Sequence, residues 1–458
     1  MNFEFIDEYI NIHKDRFLNE LFELIKIKTI SNQNQYKEEM IRAAQYIKKL
    51  LNLSDINDVQ FFNDYGAPII FAQKIKDPSL KTILFYAHYD VQPVDPLNLW
   101  NHDPFDPIIE NGRIVARGAS DDKGMLIMII KALEILNNVN SLPCNVKIIF
   151  EGGEEKGSPE LNKFLDDENN VNILDCNHIV VCDTGMVSYE TPSIATGLRG
   201  IIHFDLTLTG PCRDLHSGSY GGAVVNPIHA LCKVINSLHD ENNRITVEGF
   251  YDDVPQLTPL ELEGIKKLPF DHKTYMNDLQ VDSLVHDDFH KDLIAVRYEP
   301  TIEVNGIYGG YIEEGSKTII PSSATAKFSF RLVGYQKPDD VFNKFIKHIE
   351  KVLPKGVKYQ ITNKDAGSIA LHLSTESKMY KAASEAIKII WGKEPITDKA
   401  GGSIPIVSKM KEKLNTEVVL LGFTSPYDKE HSPNESFCVD AFMKGITTLI
   451  YYLDKYIS

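Results

Sequence analysis

The stretch TILFYAHYD at residues 82–90 is an unbroken, β-prone and largely apolar run that ends in a histidine and an aspartate. A run of this kind is typical of a strand buried on both faces, as the strands of a parallel sheet are. His88 and Asp90 would therefore lie at or just beyond the carboxyl end of a buried strand. Open α/β sheets bind their ligands at that edge.

Three more apolar runs have the same character, and each leads into residues that can bind a metal ion. They are residues 146–150 before Glu154 and Glu155, residues 179–182 before Asp183, and residues 418–423 before a polar loop that contains His431. A fifth segment, RGASDDKG at residues 117–124, places Asp121 and Asp122 ahead of an apolar stretch that we expect to be a buried helix. Strands alternating with helices predict an α/β fold with a mostly parallel sheet flanked by helices.

The middle of the chain has a different pattern of apolar and polar residues. Residues 201–208 and 325–333 alternate apolar and polar side chains, which is typical of half-exposed antiparallel strands. We therefore predict an inserted α+β domain at residues 195–372. The catalytic domain would consist of residues 1–194 and 373–458.

The composition is that of a globular protein, with 43% hydrophobic and 24% charged residues. The formal net charge of -16 argues against nucleic acid or an anionic membrane as the main partner. The six cysteines are dispersed and include no Cys-x-x-Cys pair, which argues against a structural zinc knot.

The amino-terminal sequence MNFEFIDEYINIHKDRF mixes charges with apolar residues. It lacks the basic start and the apolar block of a secretory signal, and no stretch approaches the ~20 apolar residues of a membrane-spanning helix. We therefore expect a cytoplasmic protein, which also suits cysteines kept as reduced thiols.

Taken singly, each candidate segment has an ordinary alternative explanation. A pair such as His88 and Asp90 is more often structural than metal-binding. Asp121 and Asp122 also suit the first turn of a helix, and the paired glutamates suit a solvated acidic loop. Their joint placement at the ends of successive apolar segments favours a metal-dependent hydrolase. Oxygen and imidazole ligands without thiolates suit zinc, manganese or cobalt.

The segments also resemble the motifs of a known family, both in their residues and in their order along the chain. HYD, SDDKG, EGGEE, CDTG and EHS resemble the motifs of the two-metal peptidases that include carnosinase-type dipeptidases, glutamate carboxypeptidase, aminoacylase and succinyl-diaminopimelate desuccinylase. The likeness runs nearly end to end and is greatest to the cytosolic non-specific dipeptidases. It implies the two-metal exopeptidase fold, with an inserted lid and dimerisation domain.

The resemblance implies two divalent ions per chain, Zn2+ first and Mn2+ or Co2+ as alternatives. The ligands that it implies are His88 and Asp183 for one ion, Glu155 and His431 for the other, and Asp121 as a bridge. Glu154 would be the general base that takes a proton from the water between the ions, and Asp90 would hold His88. The peptide bond after Asp121 is cis in relatives.

The resemblance also implies a homodimer and several residues that contact the substrate. In PCRDLHSG, His216 matches a histidine that in relatives reaches the neighbouring subunit's site and stabilises the oxyanion. Thr318 and Arg331, in KTIIPSSATAKFSFR, and Ser403, in GGSIP, match positions that contact the substrate. An arginine is the natural bidentate partner of a carboxylate, although Arg331 could also be an ordinary exposed strand residue.

We therefore expect hydrolysis of the peptide bond in dipeptides and short peptides by a metal-bridging water. In relatives the ligand at the position of Asp183 is usually Asp in dipeptidases and aminopeptidases, and Glu in carboxypeptidases and deacylases. Deacylation of N-acyl amino acids and carboxypeptidase action are the alternatives within the hydrolases. A non-catalytic metal-binding or peptide-binding module is the alternative outside them, and the presence of Glu154 argues against it.

Overall fold

The chain divides into two units in the computed structural model, which describes residues 3–457 apart from the side chains of Phe3 and Leu260. The first unit comprises Met1–Gly197, His372–Ala400 and Ile406–Ser458, and the second comprises Leu198–Leu371 and Gly401–Pro405.

Gly401–Pro405 group with the second unit, whereas the sequence predicts them in the catalytic domain, and the predicted domain bounds stay a prediction. The reason for the grouping is a set of hydrogen bonds between residues far apart in sequence. Arg199 Nε donates to Gly401 O at 2.7 Å, and Ser403 Oγ donates to Gly200 O at 3.3 Å. The segment is therefore fastened to the start of the second unit.

Short strands and helices alternate along the chain. The strands are β1 (Asp58–Phe62), β2 (Ile69–Lys74), β3 (Thr82–His88), β4 (Ile108–Glu110), β5 (Arg113–Val115), β6 (Asn145–Glu151), β7 (His178–Val181), β8 (Ser193–Leu198), β9 (Gly200–Thr209), β10 (Leu215–His216), β11 (Thr301–Gly309), β12 (Ile319–Ile320), β13 (Ser323–Leu332), β14 (Lys358–Thr362), β15 (Leu371–His372), β16 (Ile396–Ala400), β17 (Glu417–Leu420) and β18 (Ser436–Cys438). The helices are α1 (Phe3–Ile25), α2 (Lys37–Leu53), α3 (Lys123–Asn138), α4 (Pro159–Phe164), α5 (Glu168–Ile173), α6 (Ser217–Tyr220), α7 (Pro227–Asn236), α8 (Pro259–Lys266), α9 (His272–Leu279), α10 (Phe289–Tyr298), α11 (Pro338–Val352), α12 (Lys378–Trp391), α13 (Pro405–Leu414) and α14 (Val439–Ile457). None of the helices within residues 3–457 is both long enough and apolar enough to cross a membrane.

The first unit is built on a sheet with the strand order β1-β2-β6-β3-β7-β17. The strands β6, β3, β7 and β17 run parallel, while β2 is antiparallel to β6 and β1 is antiparallel to β2. The interior strands β3, β6 and β7 are almost wholly buried because helices α1, α3, α12 and α14 pack around them. This confirms the predicted mostly parallel sheet flanked by helices.

Helix α3 anchors the loop that carries the paired aspartates, and it is buried from Lys123 to Leu136. Lys123 Nζ donates to Leu24 O at 3.1 Å and to Ile27 O at 2.8 Å, which ties the start of α3 to the last turn of α1 and to the residues just after it. A Cβ atom added at Gly124 would lie 2.2 Å from Ala119 O, so only glycine permits this tight entry into the helix.

The second unit contains an antiparallel sheet with the order β11-β13-β9-β14. Alternate residues such as Phe204, Phe328 and Phe330 form its core with helices α7 and α11. The residues between them, among them Ser329 and Arg331, lie on the opposite face because side chains alternate along a strand. This polar face carries two of the features described below.

Candidate metal centre

The carboxyl ends of three neighbouring parallel strands carry candidate ligands in the first unit. Strand β3 ends at His88, β6 ends shortly before Glu154 and Glu155, and β7 ends two residues before Asp183. Because β6, β3 and β7 are adjacent and parallel, these side chains meet at one edge of the sheet. His431 comes from the loop after β17, the next strand of the same sheet.

Asp121 lies between the two imidazoles. Its Oδ1 is 3.0 Å from His88 Nε2, and its Oδ2 is 2.8 Å from His431 Nε2. Asp183 Oδ1 lies 3.6 Å from His88 Nε2, and Glu155 Oε2 lies 3.4 Å from His431 Nε2. Each imidazole thus shares Asp121 and has one further carboxylate of its own. The peptide bond between Asp121 and Asp122 is cis, as the resemblance implies.

Asp90 supports both His88 and the paired glutamates. His88 Nδ1 donates to the carbonyl oxygen of Asp90 at 3.1 Å, closer than the 3.4 Å to its carboxylate. The Asp90 carboxylate instead accepts the backbone N–H groups of Glu154 at 3.2 Å and Glu155 at 3.1 Å. Because Nδ1 is occupied in this way, Nε2 is the atom that faces Asp121 and Asp183, as a metal-binding histidine requires.

His431 is presented by a loop with unusual backbone geometry. Its φ angle is 61°, in the left-handed region that few residues other than glycine adopt. The side chain is 57% exposed, so this side of the cluster is open. Hydrogen bonds to Asp121 and Glu155 raise the pKa of His431 to about 11.

The cluster carries an excess of negative charge. Burial and the charge of Asp183 raise the pKa of Glu154 above its ordinary value. Burial and the charge of Asp121 raise the pKa of Glu155 to about 7. Burial by itself would lower the pKa of His88, but the neighbouring carboxylates of Asp183 and Asp121 raise it instead. Groups held in this way are stabilised by added positive charge, which metal cations supply.

Buried oxygen atoms without donors show that the residues fit metal ions. Glu155 Oε1 and Asp122 Oδ1 are buried and have no hydrogen-bond partner among the described residues, and a cation would satisfy such an oxygen. Two groups bring one ligand atom per residue to within 4.8 Å of each other: His88 with Asp122 and Asp183, and Asp121 with Glu155 and His431. Oxygen and imidazole donors of this kind suit divalent cations such as zinc or manganese.

Asp122 and Glu435 have positions in the site that the sequence analysis did not assign. Asp122 Oδ2 accepts the backbone N–H of His88 at 3.0 Å. Glu435 is fully buried and accepts the N–H groups of Gly118, Ser120 and Asp121 and the Ser120 hydroxyl. It also forms an ion pair with buried Arg117 at 2.7 Å, so one carboxylate fixes the whole loop before α3.

Replacing Glu435 by glutamine is expected to weaken metal binding by roughly 10–100-fold, the usual cost of losing a group that supports metal ligands. The glutamine amide would direct its NH₂ group at N–H groups of the loop, which are themselves donors and need an acceptor. Asp121 would then lose its fixed position. Competition titration with a chelator measures the affinity, and Glu8→Gln, at an exposed site on α1, is the matched control. Unchanged affinity in Glu435→Gln would show that the loop holds its shape without this carboxylate.

The predicted substrate residues of the second unit form two pairs. His216 lies beside Thr318, because the backbone N–H of Ser217 donates to Thr318 O at 3.0 Å. Gly218 N–H donates to His216 Nδ1 at 3.0 Å, so the ring proton is on Nε2 and the exposed edge of the ring is a hydrogen-bond donor. Arg331 Nη1 donates to Ser403 Oγ at 2.7 Å.

The parallel sheet and its cluster of carboxylates and imidazoles define a metal-dependent hydrolase of the α/β class. The sequence matches Peptidase family M20/M25/M40 over residues 84–455, and the chain belongs to this family. The family predicted from the sequence motifs is thereby confirmed.

Similar proteins include dipeptidases and a carboxypeptidase. The chain is 32% identical over 450 residues to the Beta-Ala-His dipeptidase of Homo sapiens, across 94% of this chain and 88% of that protein. The structure of the di-peptidase Dug1p from Saccharomyces cerevisiae matches with a TM-score of 0.87 at 28% identity, covering 98% of this chain and 97% of that one. The M20 family metallo-carboxypeptidase Sso-CP2 from Sulfolobus solfataricus matches with a TM-score of 0.87 at 34% identity, covering 96% and 99%.

Proposed function

We propose that this chain hydrolyses the peptide bond of dipeptides and short peptides. The observation that carries the proposal is the position of Asp121, which faces one imidazole with each carboxylate oxygen and lies in one group of candidate ligands with Glu155. In this proposal His88 and Asp183 would hold one divalent cation, Glu155 and His431 would hold a second, and Asp121 would be shared by both. Zinc is the first candidate, and manganese and cobalt are the alternatives.

Two bound cations would lower the pKa of a shared water and polarise the scissile carbonyl. Glu154 accepts the proton of that water and delivers it to the leaving amine, so one side chain is first base and then acid. Asp90 keeps Glu154 and Glu155 in place through their backbone N–H groups. Asp90 also orients His88, so its own role is to position other groups.

The second unit supplies the groups that recognise the substrate in this proposal. His216 of one subunit would reach the site of the neighbouring subunit and donate from Nε2–H to the oxyanion that forms on the carbonyl oxygen, and this donation stabilises the transition state more than the ground state. Arg331 and Ser403 bind the carboxylate of the substrate, and Thr318 contributes a further contact beside His216.

We propose that the protein is a homodimer and that it is located in the cytoplasm. The edge strand β11 of the second unit exposes apolar side chains at Ile307 and Tyr308, and Ile312 follows it with 79% exposure. Exposed edges and apolar patches of this kind are usually covered by a partner. We propose neither nucleic acid nor membrane as a partner because the net charge is -16. Sedimentation at a single-chain mass would exclude the dimer.

A substrate panel on metal-free protein, with zinc, manganese and cobalt added back in turn, tests the activity. Unblocked dipeptides are expected to be cleaved at least about 100-fold faster than N-acetyl amino acids, because a site built to bind polar groups rejects analogues that lack them. The panel also includes longer peptides, since the likeness to a metallo-carboxypeptidase supports carboxypeptidase action as the second candidate. Faster release of carboxyl-terminal residues from longer peptides than from dipeptides would favour that candidate.

A further inference from the structure

A cavity of about 710 Å³ lies within the second unit, and its lining includes Arg331. Its floor is the polar face of the antiparallel sheet, with Ser329 and Thr301 beside Arg331. Its walls come from helices α9 and α10 and the loop between them. The volume falls within the roughly 300–1,000 Å³ range of small-molecule sites.

One end of the cavity carries two arginines and a glutamate. Arg199 and Arg331 line it together with Glu303, whose charge acts on Arg199, and among the described residues neither arginine forms an ion pair with a carboxylate. Arg199 instead donates to the carbonyl oxygens of Gly401 and Glu299, while Arg331 donates to Ser403 Oγ. Burial and the charge of Arg331 lower the pKa of Arg199 to about 10. Two neighbouring guanidinium groups of this kind are arranged to receive an anion such as a carboxylate.

The wall of the cavity is aliphatic and unusually exposed. Leu279, Val281, Val285 and Val296 all line it, and their exposed fractions are 51%, 41%, 62% and 41%. Scattered exposed apolar residues are normal, but a group that converges on one concave surface marks a site for an apolar ligand group.

The loop that carries this wall is held in a defined position. Asp292 Oδ1 accepts both the backbone N–H of His286 at 3.2 Å and its ring Nδ1 at 2.7 Å. These two hydrogen bonds join the end of the loop to helix α10. The aliphatic wall is therefore formed before any ligand binds, which lowers the ordering cost of binding.

We propose that this cavity binds the side chain of the carboxyl-terminal residue of the substrate and selects a large aliphatic one. The inference rests on the proposed function, because Arg331 is the group that would bind the carboxylate of that residue. A side chain on the same residue would then enter the cavity beside Arg331. Leucine places a carboxylate and an apolar side chain on one carbon atom, as this combination of a charged end and an aliphatic wall requires.

Kinetics of Ala-Leu and Ala-Gly hydrolysis by the metal-loaded enzyme test the inference. The wild type is expected to favour Ala-Leu by about tenfold or more in kcat/KM, since single methylene groups in apolar pockets are worth roughly that factor. Val285→Glu, at an exposed position, should lower kcat/KM for Ala-Leu by about tenfold and for Ala-Gly by less than about twofold. Leu279→Ala should shift the ratio in the same direction. Ile12→Glu, on α1 at 68% exposure, is the matched control and should leave the ratio unchanged.

The outcomes separate this inference from the proposed function. Equal kcat/KM for the two peptides in the wild type, or equal losses for both in Val285→Glu and Leu279→Ala, would overturn the side-chain cavity and leave a dipeptidase. Hydrolysis of neither peptide with zinc, manganese or cobalt would overturn the proposed function itself.

Discussion

Replacing Glu154 by glutamine is expected to lower kcat by roughly 10²–10⁴-fold, the usual contribution of a general acid–base residue. The amide has the shape of the carboxylate but can neither accept nor return a proton. Burial and the charge of Asp183 already hold the pKa of the Glu154 carboxyl above its ordinary value. The backbone of Glu154 would stay in place because it is held by Asp90.

Metal content separates this result from a loss of the cluster. Glu154 is absent from both ligand groups of the described residues, so Glu154→Gln should retain as many cations as the wild type by elemental analysis. Glu168→Gln, at an exposed position on α5, is the matched control and should retain full turnover. Near-native turnover of Glu154→Gln would remove this residue from the role of base. Loss of metal together with activity would make it a ligand.

The central strands could be predicted because burial on both faces leaves a strong signal in sequence. The run at residues 82–87 has apolar or β-prone side chains at every position, and the structure places it in β3. The edge strand β1 gave no such signal, because its sequence DVQFF mixes exposed and buried residues. Helices α8 to α10 were also missed, since few of their residues are fully buried and their sequences show little apolar periodicity.

The convergence of the candidate ligands could be predicted for a reason of topology. The carboxyl ends of parallel strands share one edge, so His88 and Asp183 had to be close once β3 and β7 were neighbours. Glu435 could not be found in this way. A single glutamate in a polar loop has the sequence pattern of a solvated residue, and only the fold shows that it accepts bonds from the loop before α3.

Replacing Asp121 by asparagine is expected to weaken the binding of both cations by roughly 100-fold or more. Replacing a residue that only supports a metal ligand usually costs roughly 10–100-fold in affinity, so the loss expected here is larger. Each carboxylate oxygen faces a different imidazole, at 3.0 Å from His88 and 2.8 Å from His431. Asparagine keeps one oxygen and turns an NH₂ group toward the other imidazole. The charge that both cations would share is also lost, so neither site can compensate for the other.

The variant Glu155→Gln tests whether the loss of both cations is specific to the replacement of Asp121. Glu155 lies near His431 but is not paired with His88, so its replacement should weaken one cation and leave the other bound. Thermal unfolding gives a readout that does not depend on turnover, because a cation bound only by the folded state raises stability. A 100-fold loss of affinity removes about 2.7 kcal/mol of that gain at saturating metal. If Asp121→Asn kept one cation at wild-type affinity, Asp121 would belong to a single site and could not be the bridge.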